Sequence, residues 1–130
     1  MECKYIKPIK NQDAIELFQE QLGFKLPHEY ISFIKINNGG RPDLNVIVLK
    51  SGVEKVVNKF LSFNESDKEN IFSAKRRTEE DDKELVPFAV DPAGNYYCFK
   101  RDEVFFYNHE DGELQFAADS FSDFIGLLKE

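Results

Sequence analysis

Reactive side chains are scarce in this 130-residue chain, which holds two histidines and two cysteines. Neither a Cys-x-x-Cys nor a His-x-x-x-His pair occurs, so structural zinc is not expected. The acidic run Glu79-Glu80-Asp81-Asp82 lacks the glycine turn and the ligand spacing of a calcium loop. Asn38-Gly39-Gly40 follows a helical segment instead of opening one, so it offers no phosphate cradle. A Gly-x-Ser-x-Gly nucleophile elbow is absent as well. From these absences we expect no metal and no cofactor. No apolar run approaches about 18 residues, so no membrane-spanning helix is expected. The opening residues, Met1 to Pro8, show no apolar signal core and no small-residue cleavage site, which leads us to expect a cytoplasmic protein. In a reducing compartment Cys3 and Cys98 are read as free thiols, with Cys98 buried in a strand.

What the chain does have is apolar mass and negative charge. Hydrophobic residues make up 42% of it, thirteen of them phenylalanine, and this suffices for the core of one domain. The formal net charge is −7. Nucleic-acid backbones and anionic lipid would be repelled on average, and a basic protein partner attracted.

Residues 26–40 are the best punctuated stretch. Pro27 suits a first helical position, because the N–H it lacks would be unpaired there anyway. Tyr30, Phe33, Ile34 and Asn37 then share one helical face, widened by Ile31. Gly39 or Gly40 supplies the left-handed stop. An earlier helix is expected to start at Asn11, a good N-cap, to carry Ala14, Ile15, Phe18 and Leu22 on one face, and to end at Gly23. The short connection predicts that these two helices pack together. Arg41-Pro42-Asp43 reads as a turn and residues 44–49 as a strand. In residues 53–63, Val56, Val57, Phe60, Leu61 and Phe63 fit either a strand or a helix, and a strand followed by a loop is the favoured reading.

Residues 64–84 are polar and include Lys75-Arg76-Arg77 beside the acidic run. They read as a solvated, self-paired helix end or a mobile loop. The second half reads as a meander. A strand over residues 85–90 has its proline at an edge or a strand start. Asp91-Pro92-Ala93-Gly94 is a turn. Strands follow over 95–100 and 103–108, and Asp111-Gly112 signals a hairpin that residues 114–118 complete. Ser120 then caps a helix carrying Phe121, Phe124, Ile125 and Leu128 on one stripe, with Asp123 placed as in a capping box. The sum is an α+β fold: one domain over residues 1–130, an N-terminal helix pair and a C-terminal helix on one face of a largely antiparallel sheet.

Candidate chemistry is thin. His28 lies in a first helical turn and His109 beside a hairpin turn, both ordinary exposed places. A Cys98–His109 pair would support a small hydrolase or ligand-binding domain, but Cys98 sits mid-strand among aromatics, where a thiol loses reactivity. The strand aromatics Tyr96, Tyr97, Phe99, Phe105, Phe106 and Tyr107 could stack bases, yet that use comes with a basic groove and this chain is acidic.

Several blocks together resemble the SUKH (Smi/Knr-type) superfamily. Leu26-Pro27-x-x-Tyr30-x-x-Phe33 with Asn38-Gly39-Gly40 resembles its N-terminal signature. Val86-Pro87-Phe88-Ala89, then Asp91 with Gly94-Asn95-x-Tyr97-Cys98-Phe99, then Val104-Phe105-Phe106-Tyr107, look like its central strands. Ala117-x-x-Ser120-Phe121-x-x-Phe124-Ile125 is similar to its closing helix. The resemblance implies a SUKH-like α+β fold and a non-enzymatic binding role. Its implied form is a bacterial immunity protein that neutralises a toxin domain, often a nuclease. The alternative is an intracellular regulatory or scaffold module. No catalytic residue carries over. Asp91, Gly94 and Asn95 are read as structural, and Tyr30 and Phe33 as core. The binding surface is expected among acidic side chains of residues 64–84, with Glu79, Glu80, Asp81 and Asp82 as candidates, or among exposed strand residues.

Overall fold

The computed structural model describes residues 1–130. In chain order the elements are β1 (Cys3–Lys4), α1 (Ala14–Leu22), α2 (His28–Asn37), β2 (Arg41–Pro42), β3 (Val46–Val48), β4 (Glu54–Val56), β5 (Lys59–Phe60), α3 (Ile71–Thr78), β6 (Val86–Val90), β7 (Tyr96–Lys100), β8 (Glu103–Tyr107), β9 (Leu114–Ala118) and α4 (Phe121–Leu127). The α+β architecture expected from the sequence is present. A five-stranded antiparallel sheet runs in the order β5-β6-β7-β8-β9, and two small antiparallel pairs, β1-β2 and β3-β4, stand beside it.

The meander follows its turn chemistry. Gly94 adopts φ 89° and Gly112 φ 75°, values that suit glycine. The Asp91 carboxylate accepts from the backbone N–H of Ala93 (2.9 Å) and Asn95 (2.7 Å), and this closes the β6-β7 turn. Pro87 does not mark an edge strand. It is the second residue of β6, and the register slips between Pro87 and Ala89, so a bulge absorbs the missing donor. Ser120 caps α4 by accepting from the Asp123 N–H (3.1 Å).

Alternation along β7 sets the layers. Tyr97 and Phe99 face α2 and α4: Tyr97 packs on Phe124, and Phe99 on Tyr30 and Phe121. Phe121 also meets Phe33, Phe60 and Phe88, so one ring joins two helices to the sheet. Tyr96 and Cys98 point to the opposite face, where α3 lies. Helices therefore cover both faces of the sheet, and the expectation of one helical face is corrected. The cause is α3 itself, which forms inside the stretch read as a solvated end or mobile loop. The Asn70 side chain caps it by accepting from Ser73 N–H (2.9 Å), and Ile71, Ala74 and Thr78 are buried on the sheet. A short, charged helix with three inward residues leaves too weak a periodic signal to read.

Other boundaries shift for local reasons. The N-cap of α1 is Asp13, and Asn11 instead accepts from the Asp13 N–H (3.0 Å) just before the helix. Pro27 is the residue before α2, with an extended ψ of 136°. The main aromatic contacts of α1 are not with α2: Phe18 meets Phe63 and Phe72 of α3 edge to face. Arg41 and Pro42 pair with Lys4 and Cys3 instead of forming a turn. In the glycine pair Gly39 takes the left-handed φ of 67°. Gly40 is required by close approach, since a Cβ there would lie 2.8 Å from the Cys3 Cβ and 2.9 Å from the Asn37 carbonyl.

The chain end after α2 is held by Asn38, which is 1% exposed. Its Nδ2 donates to the Lys7 carbonyl (2.7 Å) and to Ser62 Oγ (3.0 Å), and its Oδ1 accepts from Phe63 N–H (2.8 Å). Tyr30 is the counter-case. Its ring is fully buried among Phe88, Phe99 and Phe121, and its hydroxyl has no hydrogen-bond partner. Two substitutions should therefore move stability in opposite directions. Asn38→Ala strands buried partners and should cost about 3 kcal/mol, whereas Tyr30→Phe removes an unsatisfied hydroxyl and should be neutral or stabilising by about 1 kcal/mol. Urea unfolding of the two variants measures both signs.

Candidate functional site

On the α3 face, the end of α3 and the loop after it meet the β6-β7 and β8-β9 turns. Together they enclose an open cleft of about 650 Å³. Its floor is Tyr96 and Tyr107, opposite neighbours in the β7-β8 register. Its walls carry Glu80 and Asp81 from one chain segment and Glu110 and Asp111 from another, with Arg77 and His109 between them. Four carboxylates thus face one guanidinium and one imidazole.

Several contacts fix this arrangement. Tyr107 donates its hydroxyl proton to Asp81 Oδ2. Arg77 Nη1 donates to the Tyr96 hydroxyl (2.8 Å). Burial pushes both phenols above the ordinary tyrosine range, and Asp81 adds to this for Tyr107. Gly112 lets the walls close, because a Cβ there would come within 3.0 Å of Asp81 Oδ2. Asn95 accepts at Oδ1 from the His109 N–H (3.0 Å), and the same oxygen lies 2.6 Å from His109 Nδ1. Its Nδ2 donates to Asp91 Oδ2 (3.1 Å). The Asp91-Gly94-Asn95 block therefore aims the His109 loop at the cleft.

The acidic run does not act as one surface. Glu80 and Asp81 line the cleft. Glu79 lies on the other side, 3.9 Å from Lys75, whose ammonium also donates to the carbonyls of Lys83 (2.8 Å) and Leu85 (2.9 Å). Asp82 is bound to Lys100 at 2.7 Å and accepts from Glu84 N–H. The Lys100 contact, with the Glu84 N–H behind it, holds the Asp82 carboxyl below its usual range. Sequence reasoning missed Glu110 and Asp111 as members of the site, and the two tyrosines as its floor. The hairpin signal at 111–112 was visible, but its position opposite Asp81 follows only from the sheet register.

The Cys98–His109 pair does not form. Cys98 is fully buried and burial drives its thiol far up, while His109 is exposed and its ring contacts Asn95. Cys3 and Cys98 are both free thiols. Of the N-terminal signature residues, Leu26, Tyr30, Asn38, Gly39 and Gly40 are buried, Pro27 and Phe33 half-buried, and none of these seven lines the cleft, whereas Gly94 of the strand motif does. No cluster of three or more metal-ligating side chains is present, and no helix is long and apolar enough to cross a membrane.

The profile of the SMI1 / KNR4 family (SUKH-1) matches residues 11–126. The chain belongs to this SUKH family. Its fold is similar to that of a protein from Pseudomonas syringae pv. tomato known from its crystal structure. The TM-score is 0.52 at 13% identity, covering 84% of this chain and 75% of that one. No match was found among curated protein sequences.

Two measurements check this geometry. At pH 8 the native SUKH protein should leave Cys98 unmodified by a thiol reagent. Cys3, its thiol pushed up to about 11 by burial and by Asp43, should react slowly. Both should react at once in denaturant. The Asp82–Lys100 contact should show in acid. A carboxyl with a lowered folded pKa contributes its stability above the unfolded value near about 4 and loses it as pH falls. Lys100→Met should thus lower the urea midpoint at pH 7, and the gap from the parent should close below about pH 4.

Proposed function

We propose that this SUKH protein is an immunity-type binding protein that acts without catalysis in the cytoplasm. It neutralises a cognate basic toxin domain, of the nuclease kind, by covering its cationic surface. The observation that carries the reading is the cleft, where two separate segments bring four carboxylates around two buried tyrosines. Active clefts of nucleases are basic because they hold phosphates, so an acidic surface both speeds the encounter and fixes its orientation. Tyrosine is also the residue type that anchors interfaces, joining an apolar ring to a polar edge. The net charge of −7 acts in the same direction at longer range. The same carboxylates oppose direct binding of nucleic acid or anionic lipid.

The decisive experiment is co-expression with the product of an adjacent toxin-like reading frame, followed by co-purification and a protection assay. Binding with loss of toxicity is the expected result; absence of both for every neighbouring toxin would overturn the reading. Within a complex, the double substitution Glu80→Lys with Glu110→Lys should slow association by about tenfold or more and flatten its salt dependence. Lys substitution at Glu79, outside the cleft, should have a much smaller effect. Surface plasmon resonance at two ionic strengths separates the two variants from the parent.

A further inference from the structure

The two edges of the main sheet are treated differently. The β5 edge is continued, since Phe60 N–H donates to the Gly40 carbonyl (2.9 Å). The β9 edge is open. Asn108 N–H donates to the Glu113 carbonyl (3.0 Å), and antiparallel alternation from that bond turns Gln115 toward Phe106 of β8. The N–H and C=O groups of Leu114 and Phe116 therefore point away from the sheet, and no turn, loop or side-chain bond takes them up.

Beside this edge lies an apolar hollow of about 500 Å³ between β9, α4 and the β3 end. Val48 (40% exposed) and Leu127 (48%) line it together with Phe116 and Gly126. Carboxylates surround it: Asp119 and Asp123 line its wall and Glu113 precedes the strand. None of the three forms an ion pair, and the nearby Lys50 ammonium sits over the Phe116 ring at 4.8 Å. A second copy fits poorly. Antiparallel self-pairing centred on Phe116 would set Glu113 of one chain opposite Asp119 of the other, and like charges directly opposed are destabilising.

We propose that the β9 edge is a second docking surface, which takes an extended segment of the partner with alternating apolar and basic side chains. The segment adds as a sixth strand on the outward groups of Leu114 and Phe116. One apolar side chain enters the hollow, and the basic ones meet Glu113, Asp119 and Asp123. The chemistry of this partner rests on the cationic toxin reading above.

The test uses the full chain, labelled with 15N, and a capped peptide of alternating lysine and valine. A glutamate-valine peptide is the control. The lysine peptide should shift the Leu114 and Phe116 amide signals saturably, and the control should not. Gly126→Leu should fold as well as the parent, since nothing lies within 4 Å of a Cβ built there and leucine favours a helix more than glycine does. By filling the hollow it should weaken peptide binding at least tenfold. Shifts confined to the Glu80–Glu110 cleft, or no saturable shift at β9, would overturn the proposal. So would shifts at β9 that grow with protein concentration alone, which would mean self-pairing. Peptide binding at β9 together with failure of every toxin in the co-expression assay would sink the immunity reading and leave this surface standing; a toxin complex with unmoved β9 amides would do the reverse.

Discussion

The placement of the site begins with one buried amide. Asn38 stands where α2 has ended and the backbone has not yet entered β2, so its surroundings hold several backbone groups that no helix or strand pairs. Its side chain joins the Lys7 carbonyl to the adjacent Ser62 and Phe63, two segments far apart in sequence. Ser62 extends the network by donating to Asp67 Oδ2 (2.6 Å) and accepting from Asn64 N–H (2.9 Å). Asn64 then binds the Pro8 carbonyl (2.9 Å) and accepts from Lys10 N–H (2.8 Å). In a dry interior every such group must be matched, because an unmatched one costs about 1–3 kcal/mol. The network thus permits only one path for the N-terminal strap and one entry into the 62–70 loop. That loop ends at Asn70, which starts α3, and α3 carries Arg77 and leads to Asp81.

The aromatic cluster supplies the complementary, non-directional part. Phe121 sits among six other rings, from Tyr30 and Phe33 of α2 to Phe124 of α4. Such packing holds α2 and α4 to the sheet but does not select a chain path by itself, since rings tolerate small displacements. Specificity of path comes from the amide network, and cohesion from the rings. Both lie on the signature side of the molecule or at its rim, and the acidic cleft lies across the sheet.

This division explains what could be read from the sequence. The meander was legible because its turns are built by residues with one physical use each: Asp91 and Gly94, then Asp111 and Gly112. The helix from 28 to 37 and the closing helix were legible from their apolar stripes and stops. The stretch 64–84 was not. Its helix is eight residues long and its inward side rests on Ile71, Ala74 and Thr78, while its cap, Asn70, is one polar residue among many. The site was half legible for the same reason. Glu80 and Asp81 stood out as a charge run, but Asp82 and Glu79 looked identical to them. Only the positions of Lys100 and Lys75 separate the four. Glu110 and Asp111 looked like ordinary turn residues until the β7-β8 register set them across from α3.

Gathering four carboxylates in one place opposes folding, because each repels the others. The fold offsets this locally. Tyr107 donates to Asp81, Arg77 sits at the floor on Tyr96, and the Asn95 link steadies the His109 loop. These contacts restrain the floor and one carboxylate while leaving Glu80, Glu110 and Asp111 without an ion pair. A basic partner arriving at such a surface would meet a floor and one carboxylate already positioned, so less ordering entropy would be lost at those groups on association. The same reasoning applies to the β9 edge, where the donors and acceptors of Leu114 and Phe116 are fixed by the ladder behind them. Both surfaces keep unpaired groups beside a fixed frame, the tyrosine floor in the cleft and the β8-β9 ladder at the edge, and that combination distinguishes them from the solvated charge elsewhere on the chain.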